Sequence, residues 1–129
     1  MKPKVLLDTS ALIDERYDLT KYQVSVSSLS WAELEFGIVA APDPAERATR
    51  EARLERLKGI FGQGLPFDDV TAIAYGTVTQ LIIARGRKPR SRTVDLMIAA
   101  TALVYGAGII TRNPHDFAGL ESLIRILPA

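Results

Sequence analysis

The run Val5-Leu6-Leu7 is apolar at three successive positions and closes on Asp8. A strand with one face in water alternates apolar and polar residues, whereas a continuous apolar run must be covered on both faces. Such strands belong to parallel sheets held between helices, and the rest of the chain supplies matching pieces. Strands are expected over 4–8, 23–27 and 109–111, with a brief one at 65–67 and another at 125–127. Between them lie a short helix at 11–14, with Thr9 and Ser10 as caps, and longer helices over 28–41, 45–61, about 70–84 and 93–105. Pro42-Asp43-Pro44, Gly62-Gln-Gly64 and Gly106-Ala-Gly108 punctuate them. Strands that alternate with helices imply right-handed crossovers. The expected class is α/β: one domain over 1–129, with a short parallel sheet of four or five strands flanked by helices on both faces. Ligands of such sheets bind beyond the carboxyl ends of the strands, where strand order reverses.

Two helices carry further information. In 28–41 the apolar residues Leu29, Trp31, Ala32, Leu34, Phe36, Ile38 and Val39 nearly encircle the axis, which predicts burial against the sheet and a second surface such as a dimer interface. In 45–61, Leu54, Leu57, Ile60 and Phe61 form a single stripe on an otherwise charged helix, so its other side faces water.

Composition narrows the chemistry. At 129 residues and 47% hydrophobic, the chain can bury a real core. It lacks the run of roughly 18 apolar residues that a spanning helix needs, so a cytoplasmic protein without a membrane partner is expected. Cysteine is absent and His115 is the only histidine, which excludes thiol nucleophiles, disulfides and zinc-thiolate sites. Carboxylates remain, and their oxygens are the ligands preferred by Mg²⁺ and Mn²⁺. A net charge of +1 gives no general attraction to nucleic acid. A local patch does exist: Arg85, Arg87, Lys88, Arg90 and Arg92 place five cations in eight residues, just before the helix that carries Asp95. No aromatic residue is interleaved to stack on bases, so a solvated connector is the alternative reading.

Four acids stand where a charge is costly: Asp8 after the first strand, Glu33 and Asp95 on apolar helices, and Asp116 after the strand at 109–111. Each has an ordinary structural role available. Asp8 suits a cap; Asp95 in a first helical turn gains roughly 0.3–1 kcal/mol from the helix dipole. Asn113 at N-cap, Pro114 at N1 and Asp116 at N3 read as a helix start. Glu33 is harder to dismiss, since Leu29, Ser30, Phe36 and Gly37 surround it at helical spacing. Taken together, four converging carboxylates repel one another unless a cation lies between them. A Mg²⁺ or Mn²⁺ ion meets that need and points to phosphodiester hydrolysis.

The blocks Val-Leu-Leu-Asp8-Thr-Ser-Ala, Ser-Trp-Ala-Glu33-Leu, Val-Asp95-Leu-Met-Ile-Ala-Ala-Thr-Ala and Thr111-Arg-Asn-Pro-His-Asp116-Phe resemble the PIN domain, and within it the VapC-type toxins. The resemblance covers the whole chain in order. It implies a Mg²⁺- or Mn²⁺-dependent endoribonuclease that acts on RNA, is inhibited by a cognate VapB-type antitoxin and forms a homodimer. It makes Asp8, Asp95 and Asp116 metal ligands, Glu33 a ligand or the orienter of the attacking water, and Thr9 and Thr111 supports behind them. Asn113 stands where some PIN nucleases carry a further acid, which favours one well-held ion. The run 85–92 would then hold the RNA backbone, and Arg112 would contact a phosphate or the antitoxin.

Other classes fit less well. A haloacid-dehalogenase-type phosphatase needs a second aspartate where Ser10 stands, and a phospho-receiver domain needs an acidic pair near the end of the first strand. A non-catalytic PIN-like module that binds RNA or a partner is the remaining alternative, and the intact four acids argue against it.

Overall fold

The computed structural model describes residues 1–18 and 20–129, and at positions 90 and 91 the backbone alone. Four strands, β1 (Lys4–Leu7), β2 (Gln23–Val26), β3 (Gly108–Thr111) and β4 (Ile126–Pro128), form one parallel sheet in the order β2-β1-β3-β4. Five helices accompany it: α1 (Thr9–Asp14), α2 (Ser28–Val39), α3 (Pro44–Phe61), α4 (Asp69–Ala84) and α5 (Thr93–Val104). Single 3₁₀ turns span Pro89–Arg92 and Pro114–Phe117.

The pleat sorts the apolar run into two cores. Leu6 and Ile109 point to one side, where they meet Val78, Ile82, Leu96, Ile98 and Phe117 from α4, α5 and the second 3₁₀ turn. Val5, Leu7, Val26 and Ile110 point to the other and meet Leu12, Trp31, Leu34, Leu54 and Leu57 from α1, α2 and α3. Val5, Leu6 and Leu7 are 0%, 1% and 0% exposed. Burying each contributes about 1.5–3 kcal/mol, so a charge at Leu6 would cost one whole layer of helices its contact with the sheet. The expected two-faced parallel sheet is present, with four strands.

Two sequence expectations need correction. Residues 65–67 do not form a strand: Leu65 makes one parallel bridge to Ser27, and Pro66 has no N–H with which to continue the ladder. Ile60 is 52% exposed, because one turn past Leu57 it has rotated off the line that Leu54, Leu57 and Phe61 share. On α2, Trp31, Leu34 and Ile38 are buried, but Phe36 and Val39 are 72% and 71% exposed. Among the described residues, nothing covers that outer face.

Strand order reverses at β1: its β2 neighbour lies on one side and β3 on the other. The carboxyl ends of β1 and β3 thus open on the crevice where the acidic residues were expected.

Candidate active site

Register positions the first acid. Leu7 pairs with Ile110, so the next residues along, Asp8 and Thr111, fall side by side, and the Asp8 N–H donates to the Ile110 carbonyl at 3.1 Å. Asp8 is 4% exposed and its carboxylate is well supplied with donors. Oδ1 accepts from the Ala11 N–H at 2.9 Å, which caps α1, and from Ser10 Oγ at 2.7 Å. Oδ2 accepts from Thr111 Oγ1 at 2.5 Å. Thr111 Oγ1 in turn accepts from the Asn113 N–H at 3.0 Å, and Ser10 Oγ accepts from the Arg112 N–H at 3.1 Å. Two hydroxyls thereby lace the loop after β3 to the start of α1.

Glu33 is set by the start of α2. Ser27 caps that helix through the Leu29 N–H at 3.1 Å, which fixes the turn carrying Ser30 and Glu33. The Thr9 hydroxyl donates to Glu33 Oε1 and lies 2.9 Å from Ser30 Oγ. A hydroxyl carries one proton, so Ser30 is the donor in the second bond. Glu33 is half-buried while Glu35 faces water.

Asp95 lies in the first turn of α5 and registers all the others. Its carboxyl is pushed up from 3.8 to about 6, first by burial and then by the negative charges of Asp116, Asp8 and Glu33; Arg92 pulls the other way. Residues from four separate segments therefore share one electrostatic field. Asp116 completes the set from the turn Pro114–Phe117. The helix start expected there is a single 3₁₀ turn, and the Asn113 side chain makes no capping bond to it. Asp116 Oδ1 instead accepts from Arg92 Nη1 at 3.2 Å.

The cations are less free than their sequence run suggested. Arg92 Nη1 also donates to the His115 carbonyl at 3.1 Å, and Arg87 Nη2 reaches the same oxygen at 3.3 Å. Arg85 and Lys88 are exposed, and the Arg90 side chain lies outside the described residues. Arg112 Nη1 pairs with Asp14 Oδ1 at 2.6 Å, and Arg16 contacts the same oxygen at 3.1 Å. The Arg16 hydrogen bond is the largest influence on Asp14 and, with the Arg112 and Arg16 charges, holds its carboxyl below the usual carboxylate range although burial, second in size, opposes them. Sequence reading missed Ser10, Ser30 and Asp14 as parts of the site. The Asp-Thr-Ser run signalled Ser10 only as a cap, and nothing local marked the other two.

As the side chains stand, no three acidic or histidine groups among the described residues are drawn in closely enough to enclose a metal ion. The donor chemistry nevertheless fits a hard divalent cation: carboxylate oxygens dominate, and Asp95 carries a repulsion, only partly offset by Arg92, that such a cation relieves. Two grooves flank the acids. One, of about 380 Å³, is lined by Leu29, Ala32, Glu33, Phe36 and Val94. The other, of about 430 Å³, is lined by Ser10, Ile13, Asp14, Arg112 and Asn113.

Comparison with known proteins agrees with this geometry. Residues 5–121 match the PIN domain. The chain is 33% identical over 115 residues to VapC ribonuclease Y4jK of Sinorhizobium fredii, covering 86% of this chain and 79% of that one. It is 34% identical over 124 residues to ribonuclease VapC5 of Mycobacterium tuberculosis, covering 90% and 87%. The crystal structure of VapBC-5, a member of the VapBC family of toxin-antitoxin systems from Mycobacterium tuberculosis, superposes with a TM-score of 0.82 at 31% identity, covering 98% of each chain. Family match, relatives and superposition concur: the chain belongs to the PIN-domain family, among its VapC-type members.

Proposed function

We propose that the chain is the endoribonuclease toxin of a VapBC-type pair, that it depends on Mg²⁺ or Mn²⁺, and that a cognate VapB-type antitoxin inhibits it. The observation that carries this reading is the convergence of Asp8, Glu33, Asp95 and Asp116, felt directly as the raised Asp95 pKa. The ribonuclease names of the relatives and the toxin-antitoxin nature of the structural neighbour support it.

Asp8, Asp95 and Asp116 would hold the ion, directly or through water. When bound, the ion supplies Lewis acidity for water and for the phosphoryl oxygens. Glu33, anchored by Thr9, orients the attacking water and takes its proton. The water oxygen bonds to phosphorus, the P–O3′ bond breaks and the departing O3′ takes a proton from solvent water, so the products are a 5′ phosphate and a 3′ hydroxyl. Asp8 need not move during this step, since Ser10, Ala11 and Thr111 already hold it. Arg85 and Lys88, both exposed, would attract the RNA backbone without reading its sequence. The outward Phe36 and Val39 give α2 a face suited to a protein, either the antitoxin or a second copy.

The test uses the purified chain free of partner, structured RNA and Mg²⁺ or Mn²⁺, against EDTA and Asp8→Asn. Metal-dependent cleavage that EDTA and Asp8→Asn abolish is expected. No cleavage, together with no divalent ion bound by calorimetry, would leave the non-catalytic module as the better reading. Light scattering across concentrations tests the homodimer.

A further inference from the structure

Arg92 differs from the other cations of the basic run. Its side chain is 25% exposed, and its guanidinium is bonded inward to Asp116 Oδ1 and to the His115 carbonyl, so it sits at the edge of the acidic cluster itself. It is also the cation that offsets part of the repulsion acting on Asp95. A guanidinium keeps its charge throughout the range in which proteins fold, so this compensation is permanent unless the side chain moves. Arg92 immediately precedes α5, and Asp95 follows three residues later, so the two groups share one rigid attachment.

We propose that Arg92 is the resident counter-ion of the acidic cluster and competes with a divalent cation for Asp116. The proposal rests on reading the site as a divalent-ion centre. Asp116 Oδ1 is engaged by Arg92, and a second cation drawn to the same carboxylate meets the guanidinium charge at close range. Loading therefore favours release of Arg92 from Asp116. The released guanidinium remains tethered beside Asp95, where its fork matches the oxygens of a phosphate. One side chain thus lowers the affinity for the ion in the absence of substrate and raises the affinity for substrate once the ion is present. A positioning role, in which Arg92 merely orients Asp116 for the ion, has the opposite sign: removing the guanidinium would then weaken metal binding.

The sign is measurable. Mn²⁺ is titrated calorimetrically into the full-length chain, stripped with EDTA, as wild type, Arg92→Gln, Arg92→Lys and Arg87→Gln at one ionic strength. Competition predicts that Arg92→Gln binds Mn²⁺ about five- to tenfold more tightly, within the usual range of coupling between two sites. Arg92→Lys, which keeps the charge, and Arg87→Gln, which removes a cation that among the described residues bonds the His115 carbonyl, should stay within about twofold of wild type by the same measure. The ¹⁵Nε resonance of Arg92 should shift when Mg²⁺ is added, and the KM for RNA should rise in Arg92→Gln despite its tighter ion. Unchanged or weaker Mn²⁺ binding by Arg92→Gln overturns the proposal, as does an equal gain in Arg87→Gln, which would reflect net charge alone. If no variant binds Mn²⁺, the divalent-ion reading falls and the role of Arg92 falls with it.

Discussion

Thr111 donates its hydroxyl proton to Asp8 at 2.5 Å across 103 positions of sequence. Parallel pairing of β1 with β3 creates that contact: Leu7 opposite Ile110 leaves the next residue of each strand level, where both strands end. A buried carboxylate is tolerable because this donor, with Ser10 and the Ala11 N–H, meets it.

Replacing Thr111 with valine keeps the volume and removes the donor. The Asp8 carboxylate then loses one of its three bonds and the Asn113 N–H loses its acceptor. A stability loss of about 1–3 kcal/mol in urea denaturation is expected. A loss near zero would mean that Asp8 does not depend on Thr111.

Asp95 contributes to stability in a way that depends on pH. Its pKa is about 6 in the folded chain against an ordinary 3.8, so the folded state binds the proton more tightly. Its favourable contribution is complete below 3.8 and is lost as pH rises through about 6. In EDTA, Asp95→Asn should therefore gain stability over wild type as pH increases from 4 to 7, with the two melting together at the acid end. RNA cleavage by the variant should vanish over the same range. If the difference in melting temperature does not grow with pH, the four acids do not share a field.

Among the described residues, the Thr9 hydroxyl bonds Glu33 and the uncharged Ser30. Thr9→Val should lower kcat about 10- to 100-fold, as losses of supporting hydrogen bonds at metal sites do, with KM little changed. Thr9→Ser should restore most of it. An effect confined to KM would place Thr9 in substrate binding instead.

Gly64 and Gly59 should respond to alanine with opposite signs. A Cβ on Gly64 would lie 2.6 Å from Ser28 N and 2.7 Å from Ser28 Cα, backbone atoms that cannot step aside. Thermal melts should show Gly64→Ala destabilised by about 1–3 kcal/mol. Gly59 in α3 has nothing within 4 Å of that position, so Gly59→Ala should gain about 0.5–1 kcal/mol of helix propensity.

Local pattern determined the layers of this protein. Val5-Leu6-Leu7 required cover on both faces, and the helices followed from periodicity and from the breaks at Pro42-Asp43-Pro44, Gly62-Gln-Gly64 and Gly106-Ala-Gly108. The identity of the four acids was legible for the same reason, since a charge interrupting an apolar run stands out without knowledge of the fold. Pairing was decided only by the tertiary structure. In sequence, Arg92 was one of five similar cations, and Asp116 belonged to a helix start that becomes a single turn. The β3 connection and the start of α5 bring them together from 24 positions apart. Thr111 reaches Asp8, and Arg112 reaches Asp14, by the same strand register. Periodicity reports which face of an element is buried; the partner of a charge depends on the distance between elements, which register and crossover set.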